Sequence, residues 1–272
     1  MNKARLANLP TILMLVSCLL SVCCIIADPI VGERIRGSGN VITETRAVSG
    51  VSSVNLSTIG HLVIEVSDTE LLRIEGEDNL MDYIEADVRN GELTIRTRNN
   101  VNLKSTKPVY YYLTVTGLDA VMTHSSGNIE APDLKAGRFS IAVASSGGIE
   151  IENLEADILT AKLSSSGNVT IGRLNARTLN AVISSAGNLY IGGGEVESQN
   201  VTLSSSGNYA ANDLVSNKAE MHLSSAGPAT VRAINYLKAT LSSSGDLSYL
   251  GNPTVEATTS SSGKIIQVGQ YD

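Results

Sequence analysis

Cysteine and the large aromatics are nearly missing from this 272-residue chain: there are three Cys, no Trp and one Phe. All three cysteines, Cys18, Cys23 and Cys24, fall in the first 27 residues. If a leader were removed there, the remainder could form no disulfide, thiolate nucleophile or cysteine metal site. Its stability would come from packing and backbone hydrogen bonds. Aromatics make up 4% of the chain, which argues against an aromatic-girdled outer-membrane barrel. Proline is scarce (6) beside glycine (24), which excludes collagen and proline-rich linkers. Basic residues (20) are outnumbered by acidic ones (27), for a net charge of -7. That balance argues against a general nucleic-acid binder, and there is no basic stripe or phosphate-binding loop. What is plentiful is hydrophobic residues, at 42% against 17% charged, so wholesale disorder is not expected.

The N-terminus has the form of an export signal. Lys3 and Arg5 make a short positive region, an apolar run follows from Thr11 to Ala27, and Asp28-Pro29 ends it. Ala27 is the small residue at the expected cleavage point, giving a signal peptide over residues 1–27. Two alternatives stay open. Leu15-Val16-Ser17-Cys18 matches a bacterial lipobox, with Cys18 as the candidate lipidation site, although a long apolar stretch follows it. An uncleaved signal anchor is the other, its 17-residue run being short for a membrane span. Membrane attachment is expected only through this leader or a lipid anchor. The chain is accordingly expected in the periplasm, at the cell surface or outside the cell. Cleavage after Ala27 would leave 18 bases and 27 acids.

Internal repetition organises the rest. A small-residue turn recurs with glycine at Gly127, Gly147, Gly167, Gly187, Gly207, Gly227, Gly245 and Gly263, at intervals of 20 residues that shorten to 18 at the last two. After each glycine comes a polar-apolar alternation, as in Asn168-Val169-Thr170-Ile171. A second alternation follows a corner leucine (Leu134, Leu154, Leu174, Leu214), as in Leu159-Thr160-Ala161-Lys162-Leu163. Period-two alternation predicts short strands with one buried face. A 20-residue unit cannot bury that face alone but can by stacking on its neighbour. The prediction is an all-β fold, a parallel β-helix or β-solenoid, with regular coils over residues 121–268. The small Ala161, Ala181, Ala239 and Ala257 suit a narrow interior. Eight coils would stack to roughly 38 Å.

Residues 33–120 are less regular. Strand-like alternation recurs at Leu72-Arg73-Ile74, Glu92 to Ile95 and Tyr110 to Val115, and Asn90-Gly91 is a hairpin signal. This region reads as atypical coils or a β-rich N-terminal cap, since terminal repeats must cover open strand edges.

The Ser-Ser-Gly-Asn-apolar turns, with Glu77-Asp78-Asn79-Leu80 and the segment Ile84 to Ile95 upstream, resemble the bacterial head GIN domain family, described as autotransporter adhesins. The resemblance spans about residues 35 to 268. It implies a β-solenoid in the bacterial envelope or outside the cell, and it carries over no catalytic residues. The chain departs from a self-exporting autotransporter, because no membrane barrel fits between Gly263 and Asp272. Self-export is therefore not expected.

Enzymes built on β-helices need carboxylates clustered on adjacent coils. The outward positions of the second alternation are nearly neutral, for example Thr160, Lys162, Asn180, Val182, Asn200 and Thr202. Acids gather at Glu150, Glu152, Glu155 and Asp157, within one coil and without acidic partners in the next. That pattern fits a solvated corner. His61, His124 and His222 fall in different coils, and no metal or cofactor is expected. The turn asparagines Asn128, Asn168, Asn188 and Asn208 suggest an internal hydrogen-bond ladder. Tyr110-Tyr111-Tyr112 is the one aromatic cluster, read either as packing at the cap or as a platform for sugar stacking. The leading functional expectation is a non-enzymatic envelope protein that binds a polysaccharide or cell-surface protein through an extended solenoid face. A polysaccharide lyase or hydrolase using Asp78, Asp82, Glu85 or Asp87, and a structural or sensory envelope component, stand beside it.

Overall fold

The alternating segments form the strands expected of them. A computed structural model describes residues 32–224, 226–260 and 262–269; the leader with Cys18, and the turn residues Ser225 and Ser261, lie outside the described residues. The strands are β1 (Glu33–Arg36), β2 (Val41–Arg46), β3 (Ser53–Ser57), β4 (His61–Val66), β5 (Leu71–Glu77), β6 (Ile84–Arg89), β7 (Glu92–Thr97), β8 (Val101–Lys104), β9 (Tyr110–Val115) and β10 (Ala120–Thr123). They continue as β11 (Asn128–Val143), β12 (Ile149–Leu163), β13 (Asn168–Ile183), β14 (Asn188–Ile191), β15 (Gly194–Leu203), β16 (Asn208–Leu223), β17 (Ala229–Leu241), β18 (Leu247–Leu250), β19 (Thr254–Thr259) and β20 (Ile265–Gly269). One short helix, α1 (Asp78–Met81), joins β5 to β6.

The chain is a parallel β-solenoid with the register that the repeat predicts. Strand β11 pairs with β12 and β12 with β13 in parallel, aligning Ile129, Ile149 and Val169, then Leu134, Leu154 and Leu174, then Ile141, Ala161 and Ala181. Each coil runs along a first face (residues 128–131 and equivalents), turns at the corner leucine, and returns along a second face (138–143 and equivalents). Leu134, Leu154, Leu174 and Leu214 all point into the core, as do Ala161, Ala181 and Ala239. At Gly194 the corner leucine is replaced and the backbone takes φ +115°, a conformation in which a side chain is strained. The two residues lost per coil near the end come out of the corner: β16 and β17 shift register between Ala211 and Val215 and again between Ser216 and Lys218. Beside that shift sits a buried polar group. Gln199 occupies the row of Leu179, accepts from the Tyr209 hydroxyl at 2.6 Å and donates to Ser216 Oγ at 2.8 Å. Burial pushes the Tyr209 hydroxyl pKa upward, so it stays protonated and donating.

The turn glycines are required by space rather than by φ. A Cβ built on Gly187 would meet the Gly167 carbonyl oxygen at 2.5 Å and that of Ser165 at 2.7 Å. The same collision with the preceding coil recurs at Gly147, Gly167, Gly207, Gly227 and Gly263. Around these glycines the turns are tied coil to coil. The backbone N–H groups of Ser164, Ser184, Ser204 and Ser224 each donate at 2.9 Å to the coil before, and Ser145 Oγ and Ser205 Oγ donate to the carbonyls of Ser125 and Ser185. The expected asparagine ladder is broken and lies on the surface: Asn188 donates to Asn168 at 2.7 Å, while Asn128 accepts from the Gly148 N–H at 2.8 Å.

Chain order and spatial order diverge before residue 120. Strand β3 pairs in parallel with both β10 and β7, and β4 with both β11 and β9. The coil made by β3 and β4 therefore lies between the regular stack and a layer of later sequence. Above that layer the pairing turns antiparallel, with β5 on β9, β2 on β5 and β6 on β7. The β6–β7 hairpin turns at Asn90-Gly91, with φ +51° and +81°. Leu72, Ile74, Leu80, Met81 and Ile84 close the core at this end, each 4% exposed or less. At the other end nothing among the described residues follows β19 and β20. Val255, Ala257 and Thr259 keep the register of Leu237, Ala239 and Leu241 but face solvent.

Replacing Gly187 by Ala should cost about 1–3 kcal/mol of stability, because the backbone it meets cannot yield. Gly137 has nothing within 4 Å of a built Cβ, so Gly137→Ala should be neutral or stabilising by up to about 1 kcal/mol. Denaturant unfolding of the two variants separates a steric requirement from a generic turn preference.

Candidate functional surface

Outward positions on the first face form rows across the strands. One row runs Glu75, Tyr110, His61, Asn128; the next runs Arg73, Tyr112, Val63, Glu130, Glu150, Thr170, Tyr190. Period-two alternation places Tyr110 and Tyr112 outward together. Their ring centroids lie 6.0 Å apart at 24°, and the His61 ring lies 5.6 Å from Tyr110 at 29°. The Arg73 guanidinium sits 3.8 Å from the Tyr112 ring centroid, a cation–π contact, and 3.5 Å from Glu75. The result is a half-exposed aromatic patch with one cation on it. Tyr111 does not belong to the patch. It is fully buried, with its hydroxyl donating to the Ile59 carbonyl at 3.2 Å, and burial raises its pKa.

The tyrosines stand out in the sequence, but nothing there marks His61 or Arg73 as their partners. Strand alternation was the usable signal; the pairing of β4 and β5 with β9 was not visible in a 20-residue period. Acidic side chains border the patch at Glu75, Glu65, Glu130 and Glu150, and Glu130 stands in register with Glu150. Glu150 thus has an acidic neighbour after all, one coil back rather than one coil ahead.

Three of the four acids singled out near the cap, Asp78, Glu85 and Asp87, have their carboxylates engaged. Asp78 accepts from Ser38 Oγ at 2.5 Å and Asn40 Nδ2 at 2.9 Å, and these bonds hold its pKa below the usual value. Glu85 pairs with Arg96 at 2.5 Å and Arg98 at 3.5 Å, and Asp87 lies 3.9 Å from Arg96. The Asp82 backbone carbonyl accepts from Arg98 at 2.6 Å. His124 contacts Asn55 at 3.0 Å and His222 contacts Glu220 at 3.2 Å, far along the chain from His61. An open groove of about 700 Å³ lies beside Val66 and Leu118, where its polar walls already pair with each other (Lys135 with Glu155 and Asp133 with Asn153, both at 2.7 Å). On the second face Asn180 and Asn200 are bonded at 2.9 Å, and its charges Glu220 and Lys238 lie 3.5 Å apart.

One buried carboxylate stands apart. Glu77 is fully buried, and it accepts from the N–H groups of Gly39 (2.7 Å), Thr106 (2.8 Å) and Lys107 (3.3 Å) and from Thr106 Oγ1 (2.5 Å). With Asp78 and Asn79 it ties residues 36–40 and the β8–β9 connection to the cap. Burial works to raise its pKa, but the Thr106 side chain and the three backbone donors outweigh it and hold the pKa below 4.5.

A parallel β-solenoid closed at one end by antiparallel strands is the class these features define. Residues 50–253 match the family described as "Putative auto-transporter adhesin, head GIN domain", and the chain belongs to that family. Solved structures share the fold. An adhesin-designated protein of Parabacteroides distasonis is 20% identical, with a TM-score of 0.80 over 87% of this chain and all of that one. One of Parabacteroides merdae is 18% identical, with a TM-score of 0.77 over 88% of this chain and all of that one. A protein of Parabacteroides distasonis designated as lipid binding is 24% identical, with a TM-score of 0.78 over 88% of this chain and all of that one. No curated protein matches the chain. Among the described residues no helix is long and apolar enough to cross a membrane.

The Glu77 clamp should appear in the pH dependence of stability. A carboxylate with a depressed folded pKa contributes fully above its unfolded value and loses that contribution as pH falls through the folded one. Unfolding midpoints should therefore drop on acidification below about pH 4.5. Glu77→Gln should cost about 1–3 kcal/mol at neutral pH, by leaving backbone donors without an acceptor, and should flatten that acid limb.

Proposed function

We propose that this chain is a non-enzymatic surface or secreted adhesin whose first face holds an uncharged polysaccharide. The observation that carries this is the half-exposed patch of His61, Tyr110 and Tyr112 with Arg73 on it. Aromatic surfaces suit the apolar faces of sugars, while Arg73 and Glu75 supply a donor and an acceptor for hydroxyl groups. The acidic border and the net negative charge disfavour an anionic polymer at the same place. An extended sheet face suits contact along a polymer, and membership of an adhesin family agrees with binding rather than turnover. The engagement of Asp78, Glu85 and Asp87 in hydrogen bonds or ion pairs weighs against the alternative of a lyase or hydrolase centred on them. Export through the N-terminal leader would place the face outside the cytoplasm.

The test is calorimetric titration of the chain from Gly32 onward with neutral and acidic polysaccharides, with polymer length read in the same samples. Saturable binding to a neutral polymer of unchanged length is expected. Tyr110→Ala and Tyr112→Ala should each weaken it by about 0.5–1.5 kcal/mol, roughly two- to twelvefold, while Thr202→Ala on the second face should not. Shortened polymer would overturn the non-enzymatic reading, and indifference to both tyrosine changes would overturn the site.

A further inference from the structure

The two ends of the solenoid are built differently, and among the described residues the C-terminal one is open. Among these residues strand β19 bonds only to β17, and β20 only to β18. Val255 is 37% exposed although Leu237, its register partner, is 0% exposed, and Ile265 is only partly buried where its register partner Leu247 is fully buried. Ala257 is exposed in a row where Ala181, Val201, Met221 and Ala239 are buried. Strand β19 has no proline, no inward-pointing charge and no bulge against β17; its one charge, Glu256, points outward, and the register irregularity of this coil lies between β18 and β20.

We propose that this last coil docks the same coil of a second copy of the chain, with β19 pairing antiparallel to its own counterpart. Two observations select that occupant. A free coil edge is matched in cross-section by another coil of this solenoid, and the N-terminal end does not offer one, because α1 and the antiparallel strands close it over Leu80, Met81 and Ile84. The core is therefore covered at that end, where β2 and β6 are each paired on one side only among the described residues, so coil-on-coil stacking head to tail has no matching open core, while tail-to-tail contact is isologous and closes at two copies. The edge is also self-complementary. A two-fold axis at Ala257 sets Glu256 against Thr258 and Val255 against Thr259, so no like charges oppose one another. The inward positions of the last coil mix apolar Val255, Ala257 and Ile265 with polar Thr259 and Gln267. That composition fits an association whose surface also tolerates water.

The chain from Gly32 onward is a compact unit with its own core and contains no cysteine, so one introduced thiol can report the contact. Sedimentation over a dilution series should show a monomer–dimer equilibrium. Ala257→Lys should weaken it by about tenfold or more, since two ammonium groups would meet at the axis. Ala257→Cys should crosslink on mild oxidation, because directly opposed antiparallel residues lie about 4.5–5.5 Å apart, within disulfide reach. Thr202→Cys, mid-stack, should not. A monomer at every concentration overturns the proposal, as does a dimer that survives Ala257→Lys without crosslinking through residue 257. Loss of the crosslink in the full chain, with the thiol protected, would assign the coil to the chain's own N-terminal segment and overturn it too.

Discussion

Adjacent coils approach so closely at the Ser-Ser-Gly turns that no Cβ fits between the turn glycine and the carbonyl of the coil before it. Strand spacing in a sheet is fixed by hydrogen-bond length, so the turn cannot relax outward without breaking the ladders on either side. Much of the rest follows from that contact. With the turn pinned, a residue can be lost only where the chain has slack, and the shortened coils lose theirs at the corner between faces. The side chains that line the interior stack in rows by register, and one such row holds Ile141, Ala161, Ala181, Val201, Met221 and Ala239, all buried. Where the cross-section changes, at the first register shift, a glutamine bonded on both its amide atoms takes the place of leucine.

The regular stack was legible in the sequence because its pairing partners sit at a constant offset, so alternation and period together define both strand and register. The N-terminal region was legible only as strands. Its pairings join Val41 to Glu77, His61 to Tyr110 and Ser53 to Glu92, offsets with no common period. The aromatic patch suffered the same limit: alternation sorted Tyr110 and Tyr112 from Tyr111, but His61 and Arg73 arrive from strands whose neighbourhood no local pattern encodes. The spacing marks the turn glycines as positions, but not the reason for them: the coil beneath leaves no room for a side chain.

The Glu77 clamp and the open last coil are opposite solutions to one problem. A solenoid ends in unpaired backbone and an uncovered core. At the N-terminal end the sequence reverses direction, adds a helix turn and seals the loop at residues 36–40 with a carboxylate that meets four donors. At the other end it softens the core rows with Thr259 and Gln267 and leaves the edge unpaired within the described residues.

The interleaved order of the first layers bears on how the molecule carries load. From the C-terminal side, each coil is held only by the one before it, so a pull there peels the stack one coil at a time. Strands β3 and β4 are held on both sides, by β7 and β9 above and by β10 and β11 below, and cannot leave without breaking two ladders at once. The protein is a ratchet in this sense, compliant when drawn from its last coil and stiff when drawn against its first.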